Sequence, residues 1–182
     1  MNPKKLTISP QASLVLIFSI IFSFFQVVCK KPDDTEVIKN MISELVQLAE
    51  KKDRDKILFL LSDDCKDFEQ RDIFKNGELI DYYFKNYKGI VIHHLDIFVS
   101  VNGDESQVET DVLLSSGPLE TLRKLVWLTG SFYRFNFKLV RRGKMWKINY
   151  SAWQEINSNS LLPGSKVILK KTFSGFNPVR RI

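Results

Sequence analysis

Residues able to carry metal, thiol or nucleophile chemistry are scarce in this chain. Two cysteines and two histidines occur in 182 residues. The histidines are adjacent, His93-His94, so no spaced pair such as H-x-x-x-H exists to grip zinc. Cys29 closes a hydrophobic run and Cys65 stands far from it, which argues against a structural disulfide. Cys-x-x-Cys, Gly-x-Ser-x-Gly and any glycine-rich phosphate loop are missing. Thiol–disulfide exchange, ordinary serine hydrolysis and nucleotide hydrolysis are therefore set aside. The D-x-[DN]-x-[DN]-G pattern of a calcium loop is also absent. No metal and no cofactor is expected.

Acidic residues are missing from both ends. Residues 1–31 hold four basic residues and no acid, and 156–182 hold five and no acid. Against the overall charge of +6, that leaves residues 32–155 at −3. A slightly acidic central region does not fit a nucleic-acid footprint.

What is present begins with an address. Lys4 and Lys5 precede an uncharged run, Ala12 to Cys29, rich in Phe and Ile. Its length is borderline against the roughly 20 residues of a full span. The lysines favour a cytoplasmic N-terminus, with all that follows exported. Three readings stay open. Cys29 followed by "KKPDD" fits a lipoprotein signal with Cys29 lipidated, although Val28 stands where a small residue is usual. The lack of an Ala-x-Ala-like site favours an uncleaved anchor. A cleaved ordinary signal peptide is the third.

Beyond it, Asp33 and Glu36 have capping-box spacing. Val37, Ile38, Met41, Ile42, Leu45, Leu48 and Ala49 then fall on one helical face as far as about Lys52. Asp53 caps a short second helix, "RDKILFLLS". The polar stretch "DDCKDFEQRDIFKNG" has room for a brief strand. Asn76 or Gly77 opens a third helix with Leu79, Ile80, Tyr83, Phe84 and Tyr87 inward, and Gly89 is its expected stop. From Ile90 the period changes to two. Leu95, Ile97, Val99 and Val101 alternate with polar neighbours, and Asn102-Gly103 marks a hairpin. Val108, Thr110, Val112 and Leu114 return. "GPLETLRKLVWLTG" reads as a short helix. A second hairpin turns at Arg142-Gly143, with Tyr133, Phe135, Phe137 and Leu139 on one side and Trp146, Ile148, Tyr150 and Ala152 likewise. "KVILKKTF" suggests an edge strand. Helices first and a long meander after them define an α+β class, with N-terminal helices packed on a curved antiparallel sheet and a hydrophobic N-terminal helix before them. The expected layout is 1–31 as signal or anchor, 32–155 as the domain, and 156–182 as a basic tail.

With "LFLLSDDCKDF", "GELIDYYFKNY" and "YRFNFKLVRRGKMWKINYSAW" in this order, the chain resembles the nuclear transport factor 2-like superfamily, which includes SnoaL-like cyclases and ketosteroid isomerases. More narrowly it resembles bacterial envelope proteins of that fold. The resemblance covers roughly residues 35–155. It implies a cone whose helices and curved sheet enclose a pocket open at one end. The superfamily holds enzymes, carriers and scaffold domains, so it does not choose an activity.

Candidate pocket residues are Asp64, Asp67, His93, His94, Tyr133 and Trp153. The acidic run Asp63, Asp64, Asp67, Glu69 and Asp72 with Arg71 is able to sit at a cone mouth, but capping and ion pairing explain it more simply. One of the two histidines, on opposite strand faces, is able to act as acid or base. Tyr133 is a potential hydrogen-bond donor. Asp96 and Asp111 are expected on the solvent face, and Trp127, Trp146 and Trp153 in the core or at the rim. Cys65 is expected to be a small packed residue. No catalytic residue maps from the isomerase branch. The expected function is a membrane-anchored module on the periplasmic or outer side of a bacterial envelope, binding a small apolar ligand or an envelope protein. A structural subunit of an envelope assembly and a SnoaL-like proton-transfer enzyme are the alternatives. Intact mass spectrometry of the full chain from bacterial membranes separates the N-terminal readings. Loss of residues 1–28 with acyl chains added to Cys29 marks a lipoprotein, and an unprocessed mass marks an anchor.

Overall fold

A computed structural model describes residues 33–116 and 130–172. The expected hydrophobic helix with Cys29, the short helix over "GPLETLRKLVWLTG" with Trp127, and the last ten residues lie outside the described residues. Asp33 caps helix α1 (Asp34–Lys51) by accepting from the Thr35 N–H at 3.2 Å. The reciprocal half of the box is not made. Glu36 turns forward to Lys39 at 3.1 Å instead. The expected apolar face buries Ile38, Met41, Ile42 and Leu48. Asp53 caps α2 (Arg54–Leu60) through the Lys56 N–H.

Strand β1 (Leu61–Asp67) follows without a break. Helix α3 (Ile73–Asn86) starts three to four residues earlier than expected, because Asp72 supplies its cap, accepting from the Lys75 N–H at 2.9 Å. Asn76 and Gly77 are buried inside it rather than opening it. Gly77 is where α2 presses on α3: a β-carbon there would meet Arg54 Nη2 at 2.7 Å. The helix ends at Asn86 with Tyr87 extended, so Gly89 is not its stop.

Strands β2 (Ile90–Asn102), β3 (Glu105–Ser116), β4 (Ser131–Arg142) and β5 (Met145–Ile156) complete a sheet of order β1-β5-β4-β3-β2. β1 runs parallel to β5 and every other pair is antiparallel. Both expected hairpins form. Each needs a left-handed residue, supplied by Gly103 (φ +60°) and Gly143 (φ +64°).

Two bulges correct the expected strand faces. In β2 the register slips between His94 and Asp96. Ile92 pairs with Leu114 and Ile97 with Thr110 on the inner face, so Leu95 drops to the outer cluster instead of sharing a face with Ile97 as expected. In β5 the register slips where Leu139 pairs with Ile148 but Lys138 with Tyr150. Trp146 and Ile148 point inward as expected. Tyr150 and Ala152 do not, and Ser151 and Trp153 take the inner face instead.

The edge strand expected from "KVILKKTF" is a helix, α4 (Pro163–Thr172), entered through a 3₁₀ turn at Ser158–Ser160. Proline at the first helical position and burial of Ser165 and Leu169, four residues apart, explain the change of period. α4 packs on the outer face, where Leu161 and Leu169 join Val91, Leu95, Leu113 and Phe132. The inner cluster lies between α1 and the sheet, around Ile38, Ile42, Val108, Leu139, Trp146 and Ile148.

Asp111 is on the outer face but not in solvent. It is fully buried beneath the α4 segment. It accepts from Arg134 Nε at 2.8 Å, the Leu162 N–H at 2.6 Å and the Ser165 hydroxyl at 2.9 Å. Arg134 also donates to the Ser160 carbonyl at 2.7 Å. Asp96 is half-buried, against Gly164 at the start of α4, where a β-carbon would come within 2.0 Å of its carboxylate. Removing one partner of a buried ion pair strands the other charge at a cost of about 3–5 kcal/mol. Asp111→Ala is therefore expected to lower unfolding stability by about 3 kcal/mol, comparable to Leu169→Ala at about 2–4 kcal/mol. Urea melts measure both, and an Asp111→Ala loss below about 1 kcal/mol would remove the anchor role.

Candidate functional site

The inner cluster fills one end of the cone and leaves the other unfilled. Of α3 only Asn76 and Gly77 are fully buried. Its apolar face, with Leu79, Ile80, Tyr83 and Phe84, borders a cavity of about 600 Å³, as does Tyr87 just past its end. Ile42, Phe137 and Ile148 belong to both the core and the cavity wall. Val112, Leu114 and Phe135 continue the wall along the sheet. A volume of this size suits a small organic molecule.

Tyr133 and Trp153 line the cavity. Burial is the main cause that raises the Tyr133 phenol above its ordinary value, aided by Glu155, Tyr83 and Tyr87. At neutral pH it is a protonated donor. Tyr83 and Tyr87 stack at 5.8 Å, so three tyrosines gather on this side. Trp153 is held edge-on by Phe68 at 4.8 Å, with the Arg71 guanidinium 5.6 Å from its ring.

Asp67 does not line the cavity. It is fully buried, accepting from the backbone N–H groups of Glu69 (3.0 Å) and Arg71 (2.9 Å) and from Arg71 Nε. It thus fixes the arginine that backs Trp153. Asp64 is exposed and pairs with Arg142 at 3.0 Å, and its carboxyl is lowered, chiefly by a hydrogen bond from the Ser62 side chain. Asp72 is a helix cap. Within the acidic run Asp72 is therefore a cap, and Asp64, Asp67 and Glu69 form ion pairs.

His93 and His94 border a separate cleft of about 380 Å³ between α1 and β2. Val46 and Ile92 divide it from the main cavity. Glu50 reaches across from α1 to accept the Ile92 N–H of the edge strand at 2.9 Å. Thr110 donates to the Asp96 carbonyl at 2.8 Å, so its oxygen is left to accept from His94 Nε2–H at 2.8 Å. Burial is the first cause that lowers both imidazoles. Cys65 is packed in the core, where burial pushes its thiol up to about 11, as suits an inert residue. Trp146 is a core residue, under the Arg141 guanidinium at 4.4 Å.

The polar lining that sequence reasoning missed is neutral: Asn76, Ser115, Ser116, Ser131 and Ser151. Thr110 was legible on the alternating inner face. Ser151 was not, because the β5 bulge reverses the count. Among the described lining residues there is no carboxylate, imidazole, ammonium or guanidinium.

No protein-family model and no curated protein matches the chain. Solved structures do. A protein from Novosphingobium aromaticivorans, provisionally named a scytalone dehydratase, aligns with a TM-score of 0.58 at 12% identity, over 72% of this chain and 90% of that one. A nuclear transport factor 2-like protein of unknown function from Pseudomonas putida aligns at 0.56 and 16% identity, over 68% and 87%. Bd1075 of Bdellovibrio bacteriovorus aligns at 0.56 and 13% identity over 66% of this chain, which spans only 40% of that protein. The described α+β cone has the nuclear transport factor 2-like fold, with the helices packed on a curved open sheet.

The imidazole shifts set a pH dependence. The unfolded chain binds protons first as pH falls through the ordinary histidine value of 6.5. Stability is therefore expected to fall from pH 7.5 towards 5.5 and to level off once the folded imidazoles also protonate. His94→Gln, which keeps a donor for Thr110, should flatten that slope. Urea midpoints across the range test it, and parallel slopes in wild type and variant would reject it.

Proposed function

We propose that the chain is a binding module which holds one small, largely apolar, uncharged molecule in the cone, the domain being tethered at a bacterial envelope membrane by residues 12–29. The carrying observation is the cavity's chemistry: about 600 Å³, walled by aliphatic and aromatic side chains, with neutral hydroxyl and amide groups as its only polar lining among the described residues. An ion entering it would lose hydration without a counter-charge. An uncharged ligand loses little and gains apolar burial, at roughly 25 cal/mol per Å². The Tyr133 hydroxyl has no hydrogen-bond partner among the described residues, and supplies a donor for a ligand oxygen.

Similarity to a provisionally named dehydratase makes proton-transfer chemistry the alternative. That reading needs a titratable acid or base against the substrate. The candidates considered for it lie elsewhere: the histidines in the second cleft and Asp64 and Asp67 in ion pairs. Tyr133, raised above its ordinary value, stays protonated near neutrality and supplies no base. The geometry favours holding a molecule over transforming it.

Native mass spectrometry of the full chain, released from detergent micelles, is the test. One neutral small molecule per chain is expected. Ser151→Trp, which fills the cavity, should lose that mass while remaining folded by circular dichroism. A wild-type chain that carries nothing, or a variant that carries the same adduct, would sink the reading.

A further inference from the structure

We infer that the exposed face of α4 and the strand end beside it form a docking surface for an anionic lipid bilayer. α4 is amphipathic in an unusual place. Its inner face, Ser165 and Leu169, is buried against the outside of the sheet. Its outer face carries Lys166, Lys170 and Lys171, all exposed. Between them Val167 is 53% exposed, an apolar side chain set among ammonium groups. Phe98 adds a second apolar projection. It lies on the outer face of β2, two residues beyond Asp96, whose carboxylate meets α4 at Gly164, and it is 62% exposed.

The charge distribution commits this surface to one partner. Residues 156–182 contain five basic residues and no acid, while 32–155 carry a net charge of −3. The carboxylates on this outer face are covered or paired: Asp111 is buried and matched by Arg134, Glu109, opposite Phe98, pairs with the same arginine at 3.3 Å, and Asp96 is half-buried against the first turn of α4. Lysines spaced around an exposed valine, with Phe98 past the first turn of the same helix, suit a headgroup layer: the ammonium groups meet phosphate or carboxylate while the apolar tips reach the acyl boundary. Each lysine near an anionic leaflet contributes a factor of about five in partitioning, so three together contribute about 100-fold. The surface is separate from the cone cavity, and its occupancy does not depend on a ligand there.

The test uses the full chain in vesicles of phosphatidylcholine alone and in vesicles with about one third phosphatidylserine. Lysine acetylation is followed residue by residue by mass spectrometry, with exposed Lys144 in the β4–β5 turn and Lys75 on α3 as internal references. Relative to those, labelling of Lys166, Lys170 and Lys171 is expected to drop about fivefold on the anionic vesicles and to recover in high salt. Equal labelling on both vesicle types, with the chain still sedimenting with them, would overturn the docking surface while leaving N-terminal tethering intact, and would point to an acidic protein instead. A chain that stays in the supernatant of anionic vesicles at low salt would overturn docking and tethering together. Protection that persists on neutral vesicles would also overturn it, since charge would then not be the cause.

Discussion

Which side chains face the inside of the cone is decided by two backbone irregularities. A strand presents alternate residues to alternate faces, so one inserted residue reverses everything beyond it. In β2 the slip after His94 puts Leu95 and Asp96 on the outer side together and returns Ile97 to the inner side. In β5 the slip before Tyr150 turns Ser151 and Trp153 inward after Trp146 and Ile148 have already faced that way. Without the second slip the cavity would lose its tryptophan wall. Bulges also sharpen local twist and bend, which helps the sheet curl around α1.

The curled sheet needs cover on both faces. α1 supplies it inside and α4 outside, and the two layers are held by different physics. The inner cluster is apolar burial around Ile38, Ile42, Leu139 and Ile148. The outer one adds a buried carboxylate, Asp111, which accepts from a guanidinium of the sheet and from a backbone N–H and a hydroxyl of the α4 segment. Satisfying several bonds at once makes such a group tolerable in the interior, where a lone charge would not be. α3 is the exception to close packing. It is fastened at Gly77 and Asn76, and its remaining apolar face borders open space. A cavity remains there because the helix is fixed at its base and not along its length.

Much of the candidate site was legible residue by residue. Tyr133, Phe135 and Phe137 form an unbroken alternation, and they do line the cavity or its floor. The inward face of α3 follows from its helical period, and its tyrosines and leucine border the same space. The acidic run reads from the sequence as capping and ion pairing in kind, but the pattern opens α3 at Asn76 or Gly77 and so misses Asp72 as its cap. His93 and His94 illustrate the limit. Their alternation was clear, but whether either entered the cavity depended on where α1 crosses the strand, and both came to border the neighbouring cleft.

Local chemistry, read from the chain alone, determined the α+β order, the helix caps at Asp33 and Asp53, and both glycine hairpins, because each depends on residues within a few positions of one another. The segregation of charge to the two ends is likewise a property of the sequence. Tertiary structure alone decided the rest. Asp111 is buried and not solvated because a helix from fifty residues later covers it. "KVILKKTF" is a helix and not a strand because the outer sheet face offers one apolar stripe for Leu161 and Leu169 to fill. The faces of Leu95, Tyr150 and Trp153 rest on register shifts between strands that no single strand encodes.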